Sequence, residues 1–135
     1  YMILRFSKLF SNNFKKKDFM NEMISNIKNN QFISYADDEF FSPIYIQDLN
    51  DCTYKLIKKE FIGIIHLSSI KKISRYRLAL KIKSITNSKC KIKRAKINSL
   101  NFIAKRGKEC TLNTDKYDKK FSFKKKKINY YLKKF

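Results

Sequence analysis

The sequence predicts an α+β chain in the order helix, strand, helix, strand, strand, followed by a β-rich second half. Three observations predict it. Met20, Met23, Ile24 and Ile27 recur at i, i+3, i+4 and i+7 within residues 18–29, the period of an amphipathic helix. Apolar side chains alternate with mostly basic ones over residues 78–83 and again over 90–96, the period of a half-buried strand. The chain contains no internal repeat.

Residues 1–17 read as a basic extension, with Arg5, Lys8, Lys15, Lys16 and Lys17, of the kind that orders against a partner. Asp18 is a good N-cap for the first helix; Glu22 lies near the positive end of its dipole and Lys28 near the negative end. Asn29 and Asn30 suit the left-handed conformation that stops a helix. At about 100° per residue, Asn21, Ser25, Lys28 and Asn29 share the face opposite the apolar stripe, with one cation and no anion among them. Residues 31–43 form a long connection with Asp37, Asp38 and Glu39 at its tip. Adjacent loop acids without further ligands face solvent more often than they hold a metal.

Residues 44–46 read as a short strand. Asp48 caps a second helix that runs to about residue 60, with Leu49, Cys52, Leu56 and Ile57 as its stripe. Residues 61–67 read as a buried strand. His66, the single histidine, has no Ser, Cys or carboxylate cluster around it and reads as strand surface or core rather than as a base. Residues 69–76 form a basic turn, and strands follow over 78–83, 90–96 and 100–104. Between them lie a turn at 86–89 and, after them, a tight basic loop at 105–108. A short helix capped from Asn113 or Thr114 falls within 112–120, and residues 128–132 read as a last strand with paired tyrosines.

The chain has 135 residues, 43% of them hydrophobic and 15% aromatic, enough to bury a core. Its 32 Lys+Arg against 11 Asp+Glu give a net charge of +21, which repels itself unless a polyanion neutralises it. Nucleic acid is the expected partner, ahead of an anionic membrane surface. Cys52, Cys90 and Cys110 lack zinc spacing and read as reduced thiols in a reducing compartment. The longest apolar run is far shorter than the roughly 18 residues that span a bilayer. No signal peptide is visible, and the basic, aromatic start only weakly resembles a transit segment. Abundant Lys, Asn, Ile, Phe and Tyr suggest AT-rich coding and an organelle genome, an expectation that a nuclear gene with a cleaved presequence would refute.

Two stretches resemble the universal ribosomal small-subunit protein eight family. Asp18, Met23, Ile27 and Asn29 match its first helix, with Glu22, Ile24, Ser25 and Lys28 as conservative replacements and Phe19 in place of a proline. Ile70, Lys72, Ile73, Ser74, Arg75 and Leu78 resemble its serine-arginine motif, with Tyr76 and Arg77 where a Pro-Gly turn would stand. That motif sets at Ser74 and Arg75 or, in the other register, near Lys93 and Arg94. Thr114 and Asp115 resemble the family's Met-Thr-Asp, and residues 128–132 its closing strand. Residues 107–111 stand where the family has a Ser-Thr-Ser loop, which is not preserved. The resemblance implies an N-terminal α-β-α-β-β lobe and a C-terminal β-rich lobe, set at residues 18–85 and 86–135 behind the 1–17 extension.

It also implies a non-enzymatic constituent of the small ribosomal subunit. Such a protein binds the central domain of small-subunit rRNA, supports assembly and translation, and contacts neighbouring ribosomal proteins. The expected site is mitochondrial, with a plastid as the alternative; no membrane, cofactor, metal or homo-oligomer is expected. The expected RNA-binding residues are Ser25, Lys28, Asn29, Lys72, Ser74, Arg75, Lys91, Lys93, Arg94, Lys105, Arg106, Lys108 and Thr114. Lys81 and Lys83, like Lys91 and Lys93, would set charges about 6.6 Å apart along a strand, near phosphate spacing. Tyr76, Tyr117, Tyr130 and Tyr131 would stack on unpaired bases. The alternatives are a non-ribosomal double-stranded-RNA or DNA-binding module and, behind it, a Mg²⁺-dependent nuclease using Asp115 and Asp118 or residues 37–39.

Overall fold

Asp18 accepts hydrogen bonds from the backbone N–H of Met20 at 3.0 Å and of Asn21 at 2.9 Å, and so starts helix α1, Phe19–Asn29. The computed structural model describes residues 1–15, 17–102, 104 and 106–135. Met20, Met23, Ile24 and Ile27 are buried, as their period requires. Asn21 is buried as well and not on the outer face. It follows the N-cap closely, and its amide donates to the Asn13 carbonyl at 3.0 Å. Asn30 closes the helix in extended conformation rather than a left-handed one.

Before α1 run strands β1, Met2–Arg5, and β2, Leu9–Phe10. After it come β3, Phe32–Ala36; β4, Phe40–Phe41; β5, Ile44–Tyr45; and helix α2, Ile46–Lys58. Strand β6, Gly63–His66, and strand β7, Ile73–Ser74, lead into helix α3, Arg75–Thr86. Strand β8, Lys91–Ala95, a single 3-10 turn at Ile97–Ser99, strand β9, Glu109–Cys110, and helices α4, Asp115–Lys120, and α5, Ile128–Leu132, complete the chain.

Helices and strands are mixed, and most strand pairing is parallel. β1 pairs with β6, β2 with β5 and β3 with β8, all parallel. β4 lies between antiparallel β7 and parallel β9. Parallel partners need long crossovers, and the helices supply them. The β3–β8 pair joins residues on both sides of position 85, and β1 and β2 place residues 2–5 and 9–10 against β6 and β5.

Two apolar clusters hold the elements. In the larger, α1, α3 and α5 pack Met23, Ile27, Leu78, Ile82 and Tyr131 around Phe10, Phe41 and Tyr45. In the smaller, Cys52 and Leu56 of α2 meet Ile65, Leu67 and Tyr117.

Several sequence expectations are corrected here. Residues 31–43 are not one long connection, because they contain β3 and β4. Residues 78–83 are not a strand: Ser74 accepts a hydrogen bond from Arg77 N–H at 3.2 Å and caps a helix through them. Residues 128–132 form a helix turn, burying Ile128, Tyr131 and Leu132 at i, i+3 and i+4. Residues 100–102 and 104 lie outside any strand; Ile103, in the same expected strand, is outside the described residues. Asp48 sits inside the first turn of α2 rather than capping it, and its carboxylate accepts the Tyr131 hydroxyl at 2.6 Å. Ile57 is exposed because it lies to one side of the stripe that buries Cys52 and Leu56.

Candidate functional site

Glu39 immediately precedes β4, and Arg75 immediately follows β7. The antiparallel register, Phe40 against Ser74, sets them side by side. Arg75 N–H donates to the Glu39 carbonyl at 3.0 Å. Its guanidinium donates to both Glu39 carboxylate oxygens, from Nε at 2.7 Å and from Nη2 at 3.1 Å. Such a two-toothed, charge-assisted pair fixes orientation as well as charge. The Glu39 side chain is only 5% exposed and that of Arg75 only 12%.

Two more cations close on the same carboxylate. Arg106 brings Nη1 to 4.0 Å from Glu39 Oε1 while its guanidinium lies 3.9 Å from the centre of the Phe102 ring. Lys8, between β1 and β2, is held by its carbonyl, which accepts the Ile44 N–H at 2.8 Å. Its Nζ stands 5.8 Å from the Phe19 ring centre and 6.0 Å from that of Phe41. Burial, and then the neighbouring Arg75 charge, push the Lys8 ammonium below its ordinary range. Among the described residues Lys8 has no ion-pair partner.

The other face of β4 carries Phe40, with Lys72 Nζ 4.3 Å from its ring centre. Lys72 also pairs with Glu109, whose carboxyl lies below its usual range first because of that hydrogen bond. Lys108 donates no backbone bond here but accepts one, from Phe40 N–H at 2.7 Å, and its Nζ is 3.5 Å from Asp38. Arg75 and Arg106 thus share one carboxylate, and Lys8 lies near enough to feel Glu39 and both arginines, so positive charge outnumbers negative here, with Lys8 and Arg75 beside the Phe41 ring. That arrangement suits a ligand with about two negative charges and an apolar or aromatic body.

Of the residues expected to bind RNA, Arg75, Arg106, Lys108, Lys72 and Ser74 gather around β4. Ser74 is buried and spent on the α3 cap. Lys28, Asn29 and Lys91 line a separate depression of about 720 Å³, and Asn29 is tied to Ser25 at 3.2 Å. Lys93 is exposed on β8; Arg94 is paired with Asp37. Thr114 is buried, with its hydroxyl donating to Asp118 at 2.9 Å. Lys105 lies outside the described residues.

The tyrosine expectation is corrected in part: Tyr117 and Tyr131 are core residues, not stacking platforms. Residues 37–39 are not a metal site. Asp37 serves Arg94 and Lys96, Asp38 accepts the Ile97 N–H at 2.7 Å, and Glu39 holds Arg75. Among the described residues no group of three or more His, Cys, Asp and Glu side chains is placed to hold a metal ion. Sequence reasoning missed Lys8 and Glu39. Their only signal was a lone cation just before the apolar pair Leu9 and Phe10, and the last of three consecutive acids.

A model of the family described as RmlD substrate binding domain matches residues 1–135. No curated protein matches the chain. The crystal structure of dTDP-4-dehydrorhamnose reductase from Bacillus anthracis str. Ames, in complex with NADP, is 27% identical, with a TM-score of 0.86 over 100% of this chain and 47% of that one. A hypothetical dTDP-4-dehydrorhamnose reductase from Sulfolobus tokodaii is 27% identical, with a TM-score of 0.75 over 92% of this chain and 43% of that one. The Yersinia enterocolitica dTDP-4-dehydrorhamnose reductase, 22% identical with a TM-score of 0.82 over 99% of this chain and 49% of that one, shows likeness of fold alone. The mixture of helices with parallel strand pairs resembles the Rossmann-like fold. The chain spans about half the length of the solved structures it matches.

These matches overturn the ribosomal reading. The family is not ribosomal protein eight, and the expected rRNA and ribosomal-protein partners, the role in translation and the mitochondrial ribosome or plastid placement fall with it. The alternative nucleic-acid module is likewise displaced, and so is the expectation that the chain is not an enzyme, because the solved neighbours are reductases. The four first-helix identities misled because a capped amphipathic helix demands an N-cap and apolar positions in any fold. Among the described residues no helix is long and apolar enough to cross a membrane.

Proposed function

The chain belongs to the RmlD substrate binding domain family, and from that premise we propose that it forms the nucleotide-sugar-binding part of a dTDP-4-dehydrorhamnose reductase-like enzyme. The observation that carries this reading is the excess of positive charge at Lys8, Arg75 and Arg106 around Glu39. A nucleoside diphosphate sugar carries two phosphate charges, an aromatic base and a polar sugar. Lys8 and Arg106 meet the diphosphate oxygens. Glu39 holds Arg75 in a fixed orientation beside them. The Phe102 ring, 3.9 Å from the Arg106 guanidinium, supplies apolar surface beside these cations.

A dinucleotide cofactor requires a glycine-rich turn that runs from a strand into a helix N-terminus. The only glycines in the chain are Gly63 and Gly107. Gly63 opens strand β6 and Gly107 precedes strand β9. The residues present therefore do not form that cradle, and no step through a dinucleotide belongs to them. Their part is to bind and orient the sugar nucleotide; in the complete enzyme the cofactor side comes from other residues.

Calorimetric titration of the full chain with dTDP-glucose, dTDP and thymidine tests the reading. The two diphosphates should bind and thymidine should not. Lys8→Ala and Arg106→Ala should each weaken dTDP by about tenfold, the scale of one charge-assisted hydrogen bond. Equal binding of thymidine, or no saturable binding of either diphosphate, would overturn it.

A further inference from the structure

A basic groove separate from the Lys8, Arg75 and Arg106 cluster lies beside β7. Phe40, Ile70, Ile73 and Ile128 form the floor of a groove of about 500 Å³ between the start of α3 and the segment before α5. Its rim carries Lys71, Arg77, Lys81, Lys126 and Lys127, none of which has an ion-pair partner among the described residues. No acid lines it. Lys72 and Lys125 also line it, each already paired, with Glu109 and Asp118. A second depression shares Ile70, Lys71, Lys72 and Lys125 with this one and is lined in addition by Asp115 and Asp118.

Helix α3 adds an independent sign. Its first turn holds Arg75 and Arg77 and no acid, although the positive end of a helix dipole disfavours cations. Glu39 compensates Arg75, and among the described residues Arg77 has no ion-pair partner. Five exposed cations around an apolar floor, none ion-paired among the described residues, concentrate positive charge and repel one another to the extent that solvent leaves unscreened. A multiply charged anion relieves that repulsion.

We propose that this groove is a binding site for an oligophosphate, an anion with more charge than a nucleotide sugar's diphosphate. Flexible lysine stems fit a chain of tetrahedral oxyanions, which needs point charges rather than a rigid fork. An acidic peptide fits less well. The groove offers it little strand to extend, because β7, although at the edge of its sheet, has only two residues, both buried, and Ser74 is committed to the helix cap.

The test uses the full chain and inorganic tripolyphosphate. The triple variant Lys71→Ala, Arg77→Ala, Lys127→Ala should weaken tripolyphosphate about tenfold or more by calorimetry. A triple of equal charge loss at the other basic depression, Lys28→Ala, Lys89→Ala, Lys91→Ala, should leave binding within about twofold. On the unmodified protein, tripolyphosphate should protect Lys71, Lys126 and Lys127 from an amine-acylating reagent while Lys28 and Lys89 stay reactive. This second measurement needs no variant to fold. Equal weakening by both triples would show a response to net charge alone and overturn the site. So would loss of tripolyphosphate binding in Lys8→Ala or Arg106→Ala, or tighter binding of an oligoglutamate peptide in the same groove. Failure of dTDP to bind the chain would leave this site standing, because none of its five rim cations belongs to the Lys8, Arg75 and Arg106 cluster.

Discussion

Glu39 reaches Arg75 with both carboxylate oxygens, at 2.7 and 3.1 Å, and takes its backbone N–H at 3.0 Å. Strand β4 is thereby locked to the first turn of α3. The pair also sets the local charge balance, because among the described residues Glu39 is the one carboxylate ion-paired with Arg75 and Arg106. Glu39→Gln keeps the shape and removes the charge. The near-buried Arg75 would then lose its ionic partner, and stability should drop by about 3 kcal/mol, as when one partner of a buried pair is removed. Urea unfolding measures it; a loss below about 1 kcal/mol would mean that the pair is solvent-screened.

The same register explains what could be read from the chain and what could not. Helix α1 was legible because its cap and stripe are local: Asp18 sets the start and Met20 to Ile27 set the face. Strand β8 was legible from alternation. Residues 78–83 alternate too, yet Ser74 caps a helix there, and six residues of alternation cannot outweigh a cap and three buried positions at helical spacing. The pocket was half legible. Arg75 and Arg106 stood out as cations, but their meeting depends on β7–β4–β9 pairing between residues far apart in sequence, which no local pattern encodes. Net charge misdirected the function, because +21 describes the whole chain and does not separate a polyanion-binding surface from a basic domain of another family.

Leucines 78 and 80 separate the two readings of that stretch. On a strand both would share a face; on α3, Leu78 is fully buried and Leu80 is 40% exposed. Leu78→Ala should cost about 2–5 kcal/mol through transfer and cavity terms. Leu80→Ala should cost less than about 1 kcal/mol. Thermal and urea unfolding of the two variants distinguishes the cases, and equal large losses would contradict the helix.

Asp18→Ala removes the acceptor for Met20 and Asn21 N–H and also for Ser11 N–H at 2.9 Å. Loss of an N-cap costs about 1 kcal/mol, with the upper end near 2. Because Ser11 follows β2, the variant should also speed amide exchange at Ser11 and Asn21, whereas Leu56 in α2 should be unchanged. Uniform acceleration would assign the cap a global rather than local role.

Lys8 gives a pH signature. Its ammonium titrates below the ordinary 10.5, first because it is buried and then because Arg75 lies near. Between its folded value and 10.5 the unfolded chain holds a proton that the folded chain has shed, so its contribution to stability rises with pH across that window. A bound diphosphate favours the charged form and reverses the shift. Binding of dTDP in that alkaline window should therefore take up protons, seen as a dependence of calorimetric enthalpy on the ionisation heat of the buffer. Lys8→Ala should abolish the uptake; uptake that persists in the variant would assign it to another group.

Asp37 supplies the opposite limb. Its carboxylate is held by Lys96 and Arg94, and its acid dissociation lies below the ordinary 3.8, first because of the Lys96 hydrogen bond. The sign follows from proton counting. Below 3.8 the unfolded chain takes up a proton that the folded carboxylate still refuses, so the stabilisation is complete above 3.8 and fades as pH falls through the lower folded value. The contact joins the end of β3, just beyond Ala36, to the end of β8, where Asp37 N–H also donates to the Ala95 carbonyl at 3.0 Å. Asp37→Asn keeps that backbone bond and deletes the charge. Its acid unfolding curve should be flatter than that of the unmodified chain below 3.8, with the two chains closest in stability at the lowest pH. Added salt should narrow the gap at neutral pH, because Arg94 and Lys96 are exposed and the pairs are screened from their solvent side. Parallel acid curves for the two chains would remove Asp37 from the acid response and place it with other carboxylates.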